Sequence, residues 1–231
     1  MNILAIETSS RMTGIAVCVD GLPPLPIHCE GGARQSEQLI ELIEGNLRKA
    51  NLGVRDLELI AVGIGPGFFT GLRVGLATAK ALAWGLGIPL VGVPSSQVLA
   101  RSVQSDWCLT LIDGGHEQLF VAAYQKSPEG LLEVLHPVSV RLSSLVEHVQ
   151  AMVSEHKKDA HPAALVSTCP LPQAISFALE QIAGQVYLNY PDPLALKEEA
   201  IALFQRRGPD DPLFIRPIYA RDADITIPRS P

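Results

Sequence analysis

Two short apolar stretches, each ending in an acidic residue, decide the fold of this chain: residues 3–9 read ILAIETS, and residues 108–115 read CLTLIDGG. Uninterrupted apolar runs of this length are typical of strands that are buried on both faces. Glu7 and Asp113 lie 106 residues apart, and the run at 14–17 has a counterpart at the same offset in 120–123. Because several elements recur in the same order, we interpret the chain as a duplicated unit.

Hydrophobic periodicity predicts the order β-β-β-α-β-α in both halves. In the first half the predicted strands are 3–7, 14–19, an edge strand ending at Cys29, and 59–64, with helices over 35–51 and 70–85, followed by a strand over 89–93 and a short helix from Ser95. In the second half the predicted strands are 108–113, 119–124, 131–140, 164–167 and 186–189. The predicted helices cover 143–154, 171–182 and 194–206, and Ser143 is expected to cap the first of them. We therefore predict one domain over 1–105 and another over 106–206, with a tail, 207–231, that can cross back to the first domain.

Two such α/β units facing each other describe the actin-like ATPase, sugar kinase and Hsp70 (ASKHA) fold. In that fold, hairpins with an acid and small residues at the tip cradle phosphates, because backbone N–H groups can approach the oxygens closely. The alternative interpretation of Thr8-Ser9-Ser10 is an ordinary polar hairpin turn. The repeat favours the phosphate-cradle interpretation.

The composition excludes several classes of protein. The hydrophobic share of 47% is too high for a disordered chain, and 18 basic against 24 acidic residues, a net charge of −6, do not favour a protein that binds nucleic acid by itself. The apolar stretch 72–93 is interrupted by Arg73, Lys80 and Pro89, which argues against a membrane span. The N-terminus lacks the basic region of a signal peptide. The four cysteines form no CxxC pair, so we expect no zinc ribbon and a cytoplasmic protein: Cys18, Cys29, Cys108 and Cys169.

A glycine-rich loop joins a predicted strand to a predicted helix: residues 63–73 read GIGPGFFTGLR. Backbone N–H groups exposed at the start of a helix can form an anion site. The spacing matches neither a P-loop nor a Rossmann fingerprint. The alternative is a tight turn followed by a helix that Thr70 caps, and the loop alone does not decide between the two.

The same loop resembles the GPGSFTGLRxG signature of the TsaB (YeaZ-like) family of tRNA threonylcarbamoyladenosine biosynthesis proteins. Residues 3–9 resemble the ILAIDTS start of that family, 36–40 its HSExLL segment, and 217–221 its PxYLR tail. The chain departs from the family pattern at several positions: Phe68 replaces a serine, Glu7 an aspartate and Gln35 a histidine, and Asp113-Gly114-Gly115 stands at the DAR motif. Residues 114–119, GGHEQL, look more like the GGHTQL segment of the sister enzyme TsaD.

The resemblance implies a cytoplasmic, non-catalytic partner of TsaD, which attaches threonylcarbamoyl to adenosine 37 of tRNAs that read ANN codons. It also implies work with the ATPase TsaE, a homodimer when the chain is alone, tRNA contact only through the complex, and no required cofactor. The net charge of −6 agrees with a basic surface that a partner supplies.

Independent catalysis is the alternative function. No two of the six histidines are four residues apart, so the chain lacks the HxxxH metal pair of the sister enzyme, and it has no GxSxG nucleophile elbow. We expect no metal ligands. A weak, vestigial site for ATP or ADP, with Mg²⁺ held through water by the two strand-end acids, stays open. The residues predicted for it are Glu7, Thr8, Ser9, Gly65, Gly67, Thr70, Asp113, Gly114 and Gly115. A nucleotide-dependent phosphotransferase or a glycoprotease-like hydrolase of this fold is therefore the competing hypothesis.

The helices predicted from Ser36 and from Thr70 are the expected partner face. The second helix is apolar nearly all round, so it needs more than one neighbour, and its small residues let another helix approach. The resemblance implies that this pair docks the matching pair of TsaD as a four-helix bundle. The predicted interface residues are Leu39, Ile40, Ile43, Leu47, Gly71, Leu72, Val74, Gly75, Thr78 and Ala79, and we expect Gly75→Arg to abolish pairing without unfolding the first domain.

Overall fold

Two five-stranded sheets form the framework of the protein in the computed structural model. The structure describes residues 1–30, 35–127, 130–156 and 164–220, and for 35–37 and 156 the backbone only. The first half consists of β1 (Ile3–Glu7), β2 (Met12–Cys18), β3 (Leu25–Glu30), α1 (Gln35–Lys49), β4 (Leu59–Gly63), α2 (Phe69–Leu86), β5 (Leu90–Val93) and α3 (Ser95–Ala100). The second half consists of β6 (Trp107–Gly115), β7 (Gln118–Ser127), β8 (Gly130–Arg141), α4 (Leu145–His156), β9 (Ala164–Ser167), α5 (Gln173–Ala183), β10 (Val186–Leu188) and α6 (Pro193–Arg207).

The two sheets have the same strand order. It is β3-β2-β1-β4-β5 in the first sheet and β8-β7-β6-β9-β10 in the second. In each sheet the first three strands are antiparallel and the last two run parallel to the first. The structure therefore confirms the predicted duplicated α/β fold, and each repeat extends by one strand and one helix to β-β-β-α-β-α-β-α.

Alternation along the central strands explains the layers. On β1, Leu4 and Ile6 pack in a cluster with α1 and α2, whereas Ile3 and Ala5 face α6 on the other side of the sheet. The second sheet repeats this arrangement, with α4 and α5 on one face and α3 on the other. Since both faces are covered, the strands are apolar throughout, which is why the two opening stretches are uninterrupted.

Each half lends its last helix to the sheet of the other half. Leu99 and Ala100 of α3 pack against β6 and β7, whereas Leu196, Ala200 and Leu203 of α6 pack against β1, β4 and β5. The two helices are also tied to each other, because Glu199 accepts hydrogen bonds from Gln97 and Arg101. The predicted boundary between residues 105 and 106 stays a prediction, but these contacts join the halves across it.

Residues 208–220 return to the first sheet. Asp210 forms an antiparallel bridge with Leu90 at the free edge of β5, and its carboxylate accepts from the Gly92 N–H at 2.8 Å. Further on, the Ile218 N–H donates to the Ile64 carbonyl at 2.8 Å. Tyr219 then joins two residues at the start of α2: its hydroxyl lies 3.2 Å from Nε of Arg73, and its ring packs against Phe69. Of the predicted PxYLR-like segment, Arg221 lies outside the described residues.

Two predicted helix caps were wrong. Thr70 lies in the first turn of α2, and Phe68 occupies the N-cap position without a side-chain hydrogen bond. The Phe68 N–H instead donates to the Ser9 carbonyl, which sets the start of the helix. In the second half, a 3₁₀ turn over Leu142–Ser144 precedes α4, so Ser143 does not cap that helix.

Candidate functional site

The acid at the end of β1 is sealed inside the first half. Glu7 has no exposed surface, and its carboxyl contacts the Ser9 N–H at 2.8 Å and the Ser95 hydroxyl at 3.0 and 3.2 Å. Burial raises the pKa of Glu7, and hydrogen bonds from Ser9, Ser95 and Thr8 offset that effect only in part. The side chain is therefore a structural acid with no path to a ligand in the cleft.

The other two residues of the first hairpin tip are equally closed. Thr8 has no exposed surface, and its hydroxyl donates to the Gly71 carbonyl of α2 at 2.8 Å. Ser9 is also buried, with its N–H bonded to Glu7 and its carbonyl to the Phe68 N–H. These backbone groups are already used within the chain, and the phosphate cradle expected from Glu7, Thr8 and Ser9 stays a prediction.

The glycine loop closes over this tip rather than opening to an anion. A Cβ on Gly67 would lie 2.1 Å from the Ser9 carbonyl oxygen, so the loop backbone rests directly on the hairpin. The Gly65 N–H donates to the Ser95 hydroxyl at 3.1 Å. Thr70, in contrast, is exposed on the first turn of α2. The loop forms a tight turn in which the glycines make room for the chain's own residues, and the anion site stays a prediction.

The second hairpin tip lies beside a cleft. Asp113 is half-buried, its Oδ1 accepts from the Gly115 N–H at 2.8 Å, and its Oδ2 lies 3.9 Å from Nε of Arg11. Gly114 is enclosed by the hairpin itself, because a Cβ there would lie 3.0 Å from the Phe120 ring. A Cβ on Gly115 would meet the Phe68 ring at 3.9 Å, so the glycine loop and the second hairpin are neighbours. Asp113, Gly114 and Gly115 thus stand apart from Glu7, which faces the interior.

The cleft has a volume of about 720 Å³ and a mixed lining. Its charged residues are one basic and three acidic side chains: Arg11, Glu30, Asp113 and Glu117. Of the nine residues predicted to bind a nucleotide, only Asp113 lines the cleft. None of those from the glycine loop or the first hairpin does. Binding of ATP or ADP here stays a prediction.

The described part of the chain contains neither an activated thiol nor a cluster of metal ligands. Burial raises the pKa of all four thiols, that of Cys108 to about 12, so none is a ready thiolate at neutral pH. Within residues 1–30, 35–127, 130–156 and 164–220, no group of three or more His, Cys, Asp or Glu side chains stands close enough to hold a metal ion. No helix over the same residues combines the length and apolarity that a membrane span requires.

Helices α1 and α2 form an outer layer, but their predicted interface stripe faces inward. Seven of the ten predicted residues are buried in the chain's own core: Leu39, Ile43, Leu47, Gly71, Leu72, Gly75 and Ala79. Val74 and Thr78 are half-buried, and Ile40 is exposed. The stripe was assigned to the wrong face, because apolar and small residues pack equally well against a sheet of the same chain. Gly75→Arg would strike Thr8 inside the first half, so that expectation is corrected.

The outward face of α2 carries a different stripe. Arg73, Ala77, Ala81 and Trp84 are all exposed, at spacings of four, four and three residues, so they share one side of the helix. Trp84 keeps 65% of its surface in contact with solvent, although tryptophan is usually well covered. Ala77 and Ala81 leave room for a second helix to approach. We call Arg73, Ala77, Ala81 and Trp84, together with the exposed Ile40 of α1, the outer face.

A comparison with known families places the chain. The family model of TsaD, tRNA N6-adenosine threonylcarbamoyltransferase, matches residues 30–197. The chain belongs to the TsaB/TsaD family. Its similarity to TsaB, predicted from the motifs, is confirmed by the tRNA threonylcarbamoyladenosine biosynthesis protein TsaB of Escherichia coli (strain K12), which is 30% identical over 136 residues, 57% of this chain and 58% of that protein.

Members of both branches of the family match. A tRNA N6-adenosine threonylcarbamoyltransferase of Geotalea daltonii is 36% identical over 142 residues, 52% of this chain and 42% of that protein. The chain thus spans about half the length of the curated relatives it matches. A crystal structure from Pseudomonas aeruginosa, of a protein with similarity to peptidase YeaZ, shares the fold with a TM-score of 0.77 and 18% identity, over 95% of this chain and 99% of that one.

Two residues that contact the predicted site residues escaped the sequence interpretation. Ser95, expected only to open a short helix, bridges Glu7 and the glycine loop, and its position after the strand-end Pro94 was the available signal. Arg11 is the cation beside Asp113. Its place one residue past the predicted tip was the signal that went unused.

Proposed function

We propose that this protein is an accessory subunit of tRNA threonylcarbamoyladenosine biosynthesis in the cytoplasm. It pairs with TsaD, which attaches the threonylcarbamoyl group to adenosine 37 of tRNAs that read ANN codons, and it works with TsaE. The family match and the E. coli relative support this role. The chain does no chemistry of its own in this proposal and needs no cofactor.

The observation that carries the proposal is the outer face of α1 and α2. It combines an exposed tryptophan, an exposed isoleucine and two exposed alanines on adjacent helices. Aromatic anchors beside small residues are typical of helix-helix interfaces, because the small residues let the backbones approach while the anchor fills a pocket. We propose that this face docks the corresponding helices of TsaD, and that two copies pair through it when TsaD is absent.

The first hairpin supports an accessory role over a catalytic one. In this fold a phosphate needs free N–H groups and an accessible acid at the tip, whereas Glu7, Thr8 and Ser9 are buried and the Ser9 N–H already donates to Glu7. The net charge of −6 supports tRNA contact through the complex, because phosphate neutralisation requires basic residues that this chain does not have in excess.

Two matched substitutions, each replacing an exposed alanine with arginine, test the pairing. Ala77→Arg places a long cation in the middle of the outer face, and Ala174→Arg does the same at an exposed position of α5, the counterpart of α2 in the second half. Isothermal titration with TsaD from the same organism should show at least about tenfold weaker binding for Ala77→Arg and unchanged binding for Ala174→Arg. Light scattering should show the same contrast for the homodimer. Equal binding by both variants would contradict the proposed face.

The role itself is tested by reconstitution. Purified TsaD, TsaE and the threonylcarbamoyl-adenylate donor should modify tRNA only when this chain is added, and Ala77→Arg should reduce that stimulation. Modification that is equally fast without the chain would overturn the accessory role. ATP turnover by the chain alone, lost in an Asp113→Ala variant that stays folded, would instead support the phosphotransferase alternative.

A further inference from the structure

The first hairpin tip and the glycine segment fit each other residue by residue. At three glycines, an added Cβ would overlap an oxygen atom of a tip residue. The distances would be 2.0 Å to a carboxylate oxygen, 2.1 Å to a carbonyl oxygen and 2.1 Å to a hydroxyl oxygen, whereas real Cβ contacts stay beyond 3.0 Å. The three pairs are Gly63 with Glu7, Gly67 with Ser9, and Gly75 with Thr8. Residues 63–75 are thus complementary in shape to residues 7–9 of the same chain.

Thr8 makes the contact that reaches furthest along α2. Its hydroxyl donates to the Gly71 carbonyl at 2.8 Å and occupies the space that a side chain on Gly75, one turn later, would fill. The other fully buried residues of α2 make apolar contacts: Leu72, Leu76, Ala79 and Ala83. Further along the helix, the half-buried Lys80 donates to the Ile215 carbonyl at 3.3 Å. Apolar contacts are non-directional and tolerate small shifts, whereas a buried hydrogen bond in a matching notch does not.

The other end of α2 has no such notch. A Cβ on Gly85 would meet nothing within 4 Å. The fully buried directional contact therefore lies in the N-terminal half of the helix, about two and a half to three and a half turns before Trp84. A change at the Thr8 notch would rotate or lift the helix and move the outer face with it.

We propose that Thr8 is a positioning residue for α2, and that its seat against Gly71 and Gly75 sets the placement of the outer face. The proposal rests on the proposed function in that the outer face is the docking surface for TsaD. The seat itself is a property of this chain alone.

A double-mutant cycle tests the seat. Gly75→Ala should destabilise the full chain and Gly85→Ala, on the same helix, should not, because only the former meets Thr8. Thr8→Ala removes the oxygen and the methyl group that the new Cβ would strike, so the double variant should recover at least about tenfold in the unfolding equilibrium relative to additivity. Additive effects would overturn the seat.

The positioning role needs a readout on the outer face. Gly75→Ala should weaken TsaD binding at least about tenfold under conditions in which circular dichroism shows every variant fully folded, and Thr8→Ala/Gly75→Ala should bind nearly as well as Thr8→Ala. Because all variants are folded in this assay, the loss and its rescue report on the placement of α2. If Gly75→Ala does not fold, Thr8→Val and Thr8→Ser replace it: the valine, which keeps the shape without the donor, should bind more weakly than the serine, which keeps the hydroxyl. Equal TsaD affinity within the pair, or for Gly75→Ala and the wild type, would overturn the proposal.

The two proposals fail in different ways. Absence of TsaD binding by the wild-type chain contradicts the proposed function, and the seat is then decided by the unfolding cycle together with acrylamide quenching of tryptophan. Trp84 is exposed and Trp107 is buried, so quenching reports mainly on α2. A changed quenching constant in Gly75→Ala that the double variant reverses supports the seat, and an unchanged constant overturns it.

Discussion

The Ser95 hydroxyl lies 3.0 Å from Oε2 of Glu7, in a part of the interior that solvent does not reach. The same hydroxyl accepts from the Gly65 N–H, so one serine connects the acid of β1, the glycine loop and the start of α3. Since α3 packs on the second sheet, this small network lies where the two halves meet. It carries an acid with no cationic partner among the groups that shift its pKa.

We expect the stability of the protein to fall with pH because of Glu7. Burial raises its folded-state pKa above the ordinary value of 4.5. Below that value both states hold the proton, and the contribution is complete; at higher pH the unfolded chain releases the proton first, and the contribution is lost as the pH rises through the folded-state pKa. Glu7→Gln, which stays neutral, should remove this decline in urea unfolding measured from pH 4 to 9.

The matched control is Glu41→Gln on α1, whose side chain is exposed. It should keep the pH profile of the wild type. A Glu7→Gln profile that parallels the wild type would show that Glu7 does not hold its proton in the folded state.

Gly63→Ala should destabilise the protein by about 2–3 kcal/mol, because the added methyl group overlaps the buried carboxyl of Glu7. Gly45→Ala is the control: Gly45 lies in the interior of α1 with nothing within 4 Å of the new atom, and it should stabilise by about 0.5–1 kcal/mol through helix propensity. Chemical denaturation measures both. Opposite signs are required, and two variants of the same sign would refute the packing described for Gly63.

Glu199→Ala should destabilise the protein by about 1–3 kcal/mol, because Gln97 of α3 and Arg101 at the C-cap of that helix lose their acceptor. The loss is moderate since Arg101 is partly exposed and regains water. Glu198→Ala, at the exposed neighbouring position of α6, should leave the free energy of unfolding nearly unchanged. A Glu199 variant as stable as the Glu198 variant would show that the α3–α6 contact contributes little.

Asp210→Ala should destabilise the protein by about 1–3 kcal/mol, because it leaves the Gly92 N–H at the edge of β5 without an acceptor. It also removes the partner of Arg207, whose pKa the carboxylate raises. Asp211→Ala serves as the control, because that side chain bonds only to its own turn through the Leu213 N–H. Amide hydrogen exchange should quicken at β5 in the first variant alone; unchanged exchange there would contradict the edge contact.

Strand positions followed from the sequence with little error. β1 matches its prediction at both ends, and β9 does too, because continuous apolar runs bounded by polar residues leave few alternatives. Helix starts were less predictable. Thr70 and Ser143 are good capping residues by type, but α2 starts at Phe69 and α4 at Leu145 after a 3₁₀ turn, since a tertiary contact at Ser9 and the turn itself set the boundaries.

The segments predicted for the candidate site lie near one another, but many of their residues face the interior. Hairpin tip, glycine loop and helix pair are all close together in the structure. Their residues were expected to face a ligand or a partner, yet Thr8 and Gly75 face each other. Small residues permit close approach of either the chain's own sheet or another protein. The spacing of small residues along a helix therefore does not predict which of the two packs against them.

The sequence by itself determined the order of elements, the duplication and the family, because hydrophobic period and motif spacing are properties of neighbouring residues. Only the tertiary structure decided that α3 and α6 cover the opposite sheets, that Glu7 is sealed by Ser95, and that the outward stripe of α2 runs through Ala77 and Trp84. These arrangements join residues that are far apart in the chain. Each depends on how the whole sheet packs against its helices, and a local sequence pattern does not specify that packing.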